Sequence, residues 1–123
     1  MGYTHVTVEV SNLQKGKPAY QALFLVDTGA IVCMAPAGQL RNAGIEPEGR
    51  EAYELANGTP VEYDFGFARI RFMGSETVTK IIFGPENAEP LLGVTALESV
   101  GVGVDPISQT LKRYAALPMK GIV

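Results

Sequence analysis

The sequence predicts a mostly-β domain carrying one or two short helices. Fourteen glycines and eight prolines break the 123 residues into short segments, the punctuation expected of strands and turns. Several of those segments alternate apolar and polar side chains with a period of two. Between two of them lies Asn57-Gly58, the strongest short-range hairpin signal in the chain. The length suits one domain spanning residues 1–123, large enough to bury a core without a disulfide or metal staple.

Val6, Val8 and Val10 alternate with Thr7 and Glu9, which reads as a half-buried strand. A polar turn follows from Asn12 to Lys17, with Gly16 inside it. Ala19 to Val26 rises into Ala22-Leu23-Phe24-Leu25-Val26, expected to be a central strand buried on both faces. It stops abruptly at Asp27-Thr28-Gly29-Ala30. A short helix is expected next, with Pro36 in its first turn, Leu40 and Ala43 on one face and Gly44 at its end. Ala52–Leu55 and Pro60–Phe65 form the arms of the hairpin around Asn57-Gly58. Beyond it, Val61, Tyr63, Phe65 and Phe67 are odd-numbered, whereas Ala68, Ile70 and Phe72 are even. That change of phase beside Gly66 predicts a β-bulge. A turn at Gly74-Ser75 leads into a strand over Thr77–Phe83. Thr95-Ala96-Leu97-Glu98 has the form of a capping box, and Gly101 supplies a left-handed stop two turns later. Val102–Asp105 and Ser108–Tyr114 read as closing strands around Pro106.

Composition narrows the function. Apolar residues make up 46% and charged residues 19% of the chain, too apolar for a disordered polyelectrolyte. A net charge of −3 disfavours nucleic acid, whose phosphates want a basic face. No apolar run is long enough to span a membrane, and the N-terminus shows no signal-peptide pattern. Cys33 is the single cysteine, so no internal disulfide is expected and a cytoplasmic setting is. With His5 the only other soft ligand, no metal site is expected.

The sharpest chemical feature is an acid directly after five apolar residues. A carboxylate at the end of a buried strand is costly unless something satisfies or uses it. Thr28 offers a hydroxyl for a local hydrogen bond, and Gly29 permits a tight turn whose N–H groups point at the carboxylate. Taken alone, Asp-Thr-Gly is equally an ordinary strand-ending turn. The second element is Leu91-Leu92-Gly93, which runs into the short helix, with the hairpin lying between the two.

In this order the pieces resemble the retropepsin-like aspartic proteases, the retroviral-type peptidases and their single-domain bacterial relatives. Phe24-Leu25-Val26-Asp27-Thr28-Gly29-Ala30 is similar to their catalytic loop. Glu51–Tyr63 is similar to their flap, with its tip at Ala56-Asn57-Gly58-Thr59. Ile81–Pro85, Leu91-Leu92-Gly93 and the helix through Val100-Gly101 are similar to their closing segment. The resemblance covers roughly Thr4 to Lys112 and implies a closed β-barrel, the single lobe of the acid-protease fold. It also implies an endopeptidase that needs two carboxylates on one water, so that Asp27 must meet its twin across a two-fold axis. The implied site comprises Asp27, Thr28 and Gly29 as catalytic loop, with Ala30, Asn57, Gly58, Glu89 and Leu91 against a polypeptide substrate. No cofactor is implied. Gly93 is followed by Val94-Thr95 where retroviral members often carry an arginine. Only three residues precede the first matched strand, so Ser108–Met119, including the tail from about residue 113, is expected to build most of the homodimer's terminal sheet. The alternative is a non-catalytic dimerisation or peptide-binding module that keeps the fold.

The remaining residues take plainer readings. His5 is expected as an exposed strand residue, Cys33 as a buried structural thiol, and Asp105-Pro106 as a turn. Phe65, Phe67 and Phe72 are expected in core or interface.

Overall fold

A computed structural model describes residues 4–14, 17–105 and 107–114. The elements are β1 (His5–Ser11), β2 (Tyr20–Val26), β3 (Cys33–Pro36), α1 (Ala37–Asn42), β4 (Gly49–Glu54) and β5 (Pro60–Phe72). They continue through β6 (Ser75–Gly84), β7 (Leu91–Leu92), α2 (Val94–Ser99), β8 (Val102–Val104) and β9 (Leu111–Arg113). Six strands close a ring in the order β1-β2-β7-β3-β6-β5, because β5 also pairs with β1; β4 extends the sheet from β5. β8 and β9 form a separate two-stranded ribbon. The mostly-β class, the barrel and the two short helices are as expected.

The barrel is filled by the inward half of each alternating strand. Val8, Val10, Phe24, Ile70, Ile81 and Leu92 are almost fully buried, with Leu40 and Leu97 closing from the two helices. Burying each such side chain contributes roughly 1.5–3 kcal/mol relative to leaving it in water.

The hairpin forms where Asn57-Gly58 placed it. Its loop holds three residues: the Gly58 N–H donates to the Leu55 carbonyl and the Leu55 N–H to the Thr59 carbonyl. Gly58 takes φ +85, a conformation an L side chain adopts at a cost. Nothing lies within 4 Å of where a Cβ would sit. Gly58→Ala should therefore lose about 1 kcal/mol purely from backbone strain; an unchanged denaturation midpoint would show that the tip does not hold this turn.

Several expectations need correction. β2 is not buried on both faces: Leu23 is 61% exposed, since β2 meets only two residues of β7 on one side and no described element covers its outward face. No bulge interrupts β5, whose pairing with β6 runs unbroken from Phe65↔Ile82 to Phe72↔Ser75. The apolar phase changes because the strand leaves its partner β4, paired over Pro60–Phe65, and enters the barrel. Only from Gly66 onward does its even face meet the core. Gly66 serves close packing instead, as a Cβ there would lie 2.7 Å from the Glu46 carbonyl oxygen.

The capping box also fails. α2 begins at Val94 with Gly93 as its cap and no side-chain cap, so Thr95 lies inside the helix. The Val94 and Thr95 N–H groups instead donate to the Ala30 and Ile31 carbonyls, which satisfies the orphan donors of the first turn. Pro36 precedes α1 as its cap. The helix stop holds, with Gly101 at φ +73. β3 was not anticipated at all. Lys15-Gly16, Pro106 and the expected interface segment beyond Tyr114 lie outside the described residues.

Candidate active site

β7 slots between β2 and β3, parallel to the first and antiparallel to the second. The connection from β2 to β3, residues 27–32, must therefore arch past the end of β7. Asp27 opens that arch. Its N–H donates to the Leu92 carbonyl at 3.0 Å, and its carbonyl accepts from the Ala30 N–H at 3.1 Å. Its Oδ1 accepts from the Gly29 N–H at 3.0 Å, the turn-to-carboxylate bond that the Gly29 reading required. Asp27 is half-buried, and no described group bonds its other oxygen. The result is an oriented carboxylate with one oxygen committed to the backbone and one open.

Gly93 locks the arch from the other side. A Cβ at this position would lie 2.5 Å from the Val32 carbonyl oxygen and 2.6 Å from its carbon. Cys33, next along, is buried and free. Burial pushes its thiol up to about 11, offset in part by a hydrogen bond with the Gly93 backbone, so it stays an unreactive thiol at neutral pH.

Thr28 does not make the local hydrogen bond expected of it: among the described residues its hydroxyl has no partner. It is exposed and lines a cleft of about 330 Å³ together with Val94, Leu97, Val102, Val104 and Tyr114. The β8–β9 ribbon thus stands directly beside the arch. It is anchored by Arg113, whose guanidinium donates to the Ser75 hydroxyl at 2.8 Å and to the Met73 carbonyl at 2.6 Å. The Thr4 hydroxyl donates to the Gln109 carbonyl from the opposite end of the chain. Ile31, just past Ala30, is 72% exposed.

Register assigns the remaining candidates. Leu25 pairs with His5 on one side and with Leu91 on the other. Side chains directly opposite in a sheet share a face, so Leu23 and Leu25 of β2 share theirs with His5 and Thr7 of β1, and Asp27, the residue after β2, continues the same odd-numbered alternation. The same face takes Leu91 and, two residues before it, Glu89. Burial agrees, because the alternate residues Val8, Phe24 and Leu92 face the core. Glu89 and Leu91 are thus brought onto the Asp27 face. Ala30 is half-buried in the arch itself.

Asn57 and Gly58 are exposed at the hairpin tip, where Asn57 Oδ1 accepts from the Thr59 N–H at 3.0 Å. The base of the hairpin is tethered. Lys80 reaches from β6 to Glu51 on β4 at 2.8 Å while lying 4.4 Å above the Phe65 ring. Asp64 holds Arg50 at 3.0 Å and Arg41 of α1 at 3.7 Å. Exposed or half-buried pairs of this kind are each worth about 0–1 kcal/mol, and they lie at the root of the hairpin, away from its tip. Phe72 joins the core, whereas Phe67 is exposed.

Sequence reasoning passed over His5, Leu23 and Leu25 as parts of this face. The odd-numbered spacing of 23, 25 and 27 was the available signal. Among the described residues, no three His, Cys, Asp or Glu side chains gather to hold a metal ion. Among the described residues, no helix is long and apolar enough to cross a membrane.

This architecture is the fold of the retropepsin-like aspartic proteases. Similar solved structures include the simian foamy virus (mac) protease, with TM-score 0.54, 16% identity, and 76% of this chain against 91% of that one. The EIAV protease, solved with the inhibitor HBY-793, gives TM-score 0.57 and 17% identity over 85% of this chain and 93% of that one. A retropepsin-like aspartic protease from Rickettsia conorii gives TM-score 0.51 and 21% identity, with 85% of each chain covered. No family model and no curated protein matches the sequence.

Proposed function

We propose that this chain is an aspartic endopeptidase that acts as a homodimer on extended polypeptides. The observation that carries the reading is the Asp27 carboxylate, held by the Gly29 N–H at the mouth of the arch with its second oxygen open. One chain provides one such acid, and peptide hydrolysis by this route needs two. A two-fold axis beside Thr28 supplies the second. Two carboxylates about 3 Å apart hold one proton between them and titrate as a pair. The ionised member takes a proton from the bridging water as its oxygen attacks the scissile carbonyl carbon. The protonated member gives its proton to the carbonyl oxygen. Collapse of the tetrahedral intermediate returns a proton to the amide nitrogen as the C–N bond breaks.

The other residues take their places around this step. The free Thr28 hydroxyl is available to its mate beneath the two acids. Gly29 and Ala30 line the path of the substrate backbone, and Leu91 and Glu89 wall it. Asn57 and Gly58 close over the peptide from the hairpin tip and exclude water. The β8–β9 ribbon, which pairs with no other strand among the described residues and stands beside the Thr28 cleft, is the surface on which copies pair. The free, buried Cys33 accords with a cytoplasmic setting.

The test combines mass in solution with cleavage of an unstructured protein. The specific rate should rise with protein concentration until the dimer saturates, and the pH profile should be bell-shaped. A rate indifferent to concentration, or flat between about pH 3 and 8, contradicts the proposal. A dimer that binds peptides without cutting them returns the chain to a binding module.

A further inference from the structure

The Asp27 face carries more than an apolar floor. Leu23, Leu25 and Leu91 lie side by side on it, Leu23 with 61% of its surface in water. At one edge stands Glu89, 56% exposed, facing His5 across β2 at 3.9 Å. That separation is too long for a hydrogen bond, so the carboxylate retains its acceptor capacity. Among the described residues it has no other partner. A row of aliphatic side chains with a carboxylate at its edge matches one kind of side chain, a methylene stem with a cationic head.

We infer that Glu89 makes this leucine row a subsite for a lysine or arginine of the substrate, close to the scissile bond. The inference rests on the proposed peptidase reading and names its substrate class. Strand rise puts Leu25 about 7 Å and Leu23 about 13 Å from Asp27 along β2. A substrate residue one or two positions from the scissile bond therefore lies over Leu25. Its stem covers the leucines and its head arrives at Glu89, where the bond is charge-assisted. An apolar side chain of equal length covers the same leucines but strips water from the carboxylate and returns no donor, which is penalised.

The experiment uses paired peptides with lysine or norleucine at each of the two positions on either side of the scissile bond. Cleavable versions report kcat/KM, and versions with a reduced, uncleavable scissile bond report Kd. At one of the positions lysine should be favoured at least ten-fold in both measurements. Glu89→Gln should bring the ratio near one, and Glu89→Lys should reverse the preference toward a glutamate peptide. A ratio near one with the wild-type chain, a ratio that survives Glu89→Gln, or no binding of any peptide overturns the inference. Lysine-selective, Glu89-dependent binding without cleavage upholds the subsite and overturns the peptidase reading instead.

Discussion

Asp27→Asn is expected to remove peptide hydrolysis while leaving the fold and the dimer in place. The amide keeps the oxygen that accepts the Gly29 N–H at 3.0 Å, and the backbone bond from Asp27 to the Leu92 carbonyl does not involve the side chain. Local geometry therefore has little reason to change. What disappears is the ability to take or give a proton at the open oxygen. Loss of a positioned acid or base costs roughly 10²–10⁴ in rate, and in the proposed homodimer both members of the pair would be lost at once, because each subunit would carry the change. The decisive measurements are the cleavage rate, the melting temperature and the solution mass, made on wild type and variant together. A variant that still cuts at the wild-type rate would sink the mechanism. A variant that stops cutting only because it no longer dimerises would leave Asp27 a structural residue.

The parts of this fold that could be read in advance are those whose signals are local. Asp27-Thr28-Gly29, the Asn57-Gly58 hairpin and Leu91-Leu92-Gly93 each announce themselves within a few residues, and each occupies the element expected of it. What escaped depends on partners distant in sequence. β3 is four residues long, too short to show a period, and it exists because β6 and β7 flank it. Ala22 to Val26 carries no polar residue of its own, so its phase could be inferred only by counting back from Asp27, and pairing with β1 and β7 establishes that Leu23 and Leu25 face outward. Thr95 and Glu98 matched a capping pattern, but the Ile31 carbonyl already takes the Thr95 N–H that the Glu98 carboxylate would serve. His5 and Glu89 lie 84 residues apart in the chain and become neighbours only across β2.

Gly93→Ala is the second change with a large expected effect, and it acts on stability and site together. The residue sits at φ −85, ψ 169, backbone that any amino acid adopts, so left-handed strain is not the issue. Space is. The added methyl would lie 2.5 Å from the Val32 oxygen, 2.6 Å from the Val32 carbon and 3.0 Å from the Ile31 carbon. These are backbone atoms that no rotamer change can move aside. Relief requires pulling the arch away from β7 and α2, against the bonds that Ala30 and Ile31 accept from Val94 and Thr95 on one side and that Leu92 accepts from Asp27 on the other. Overpacking of this kind typically costs about 1–3 kcal/mol, and an unyielding backbone clash falls at or above the top of that range. A melting temperature lower by roughly 10 °C is the corresponding shift for a domain of this size. Because the displaced segment carries Asp27, activity should fall even in the fraction that stays folded. Thermal melts and rates at a temperature where the variant is fully folded separate the two effects. A melt within a degree or two of wild type would mean that the arch and β7 do not pack this closely, and the orientation argued for the Asp27 carboxylate would lose its support.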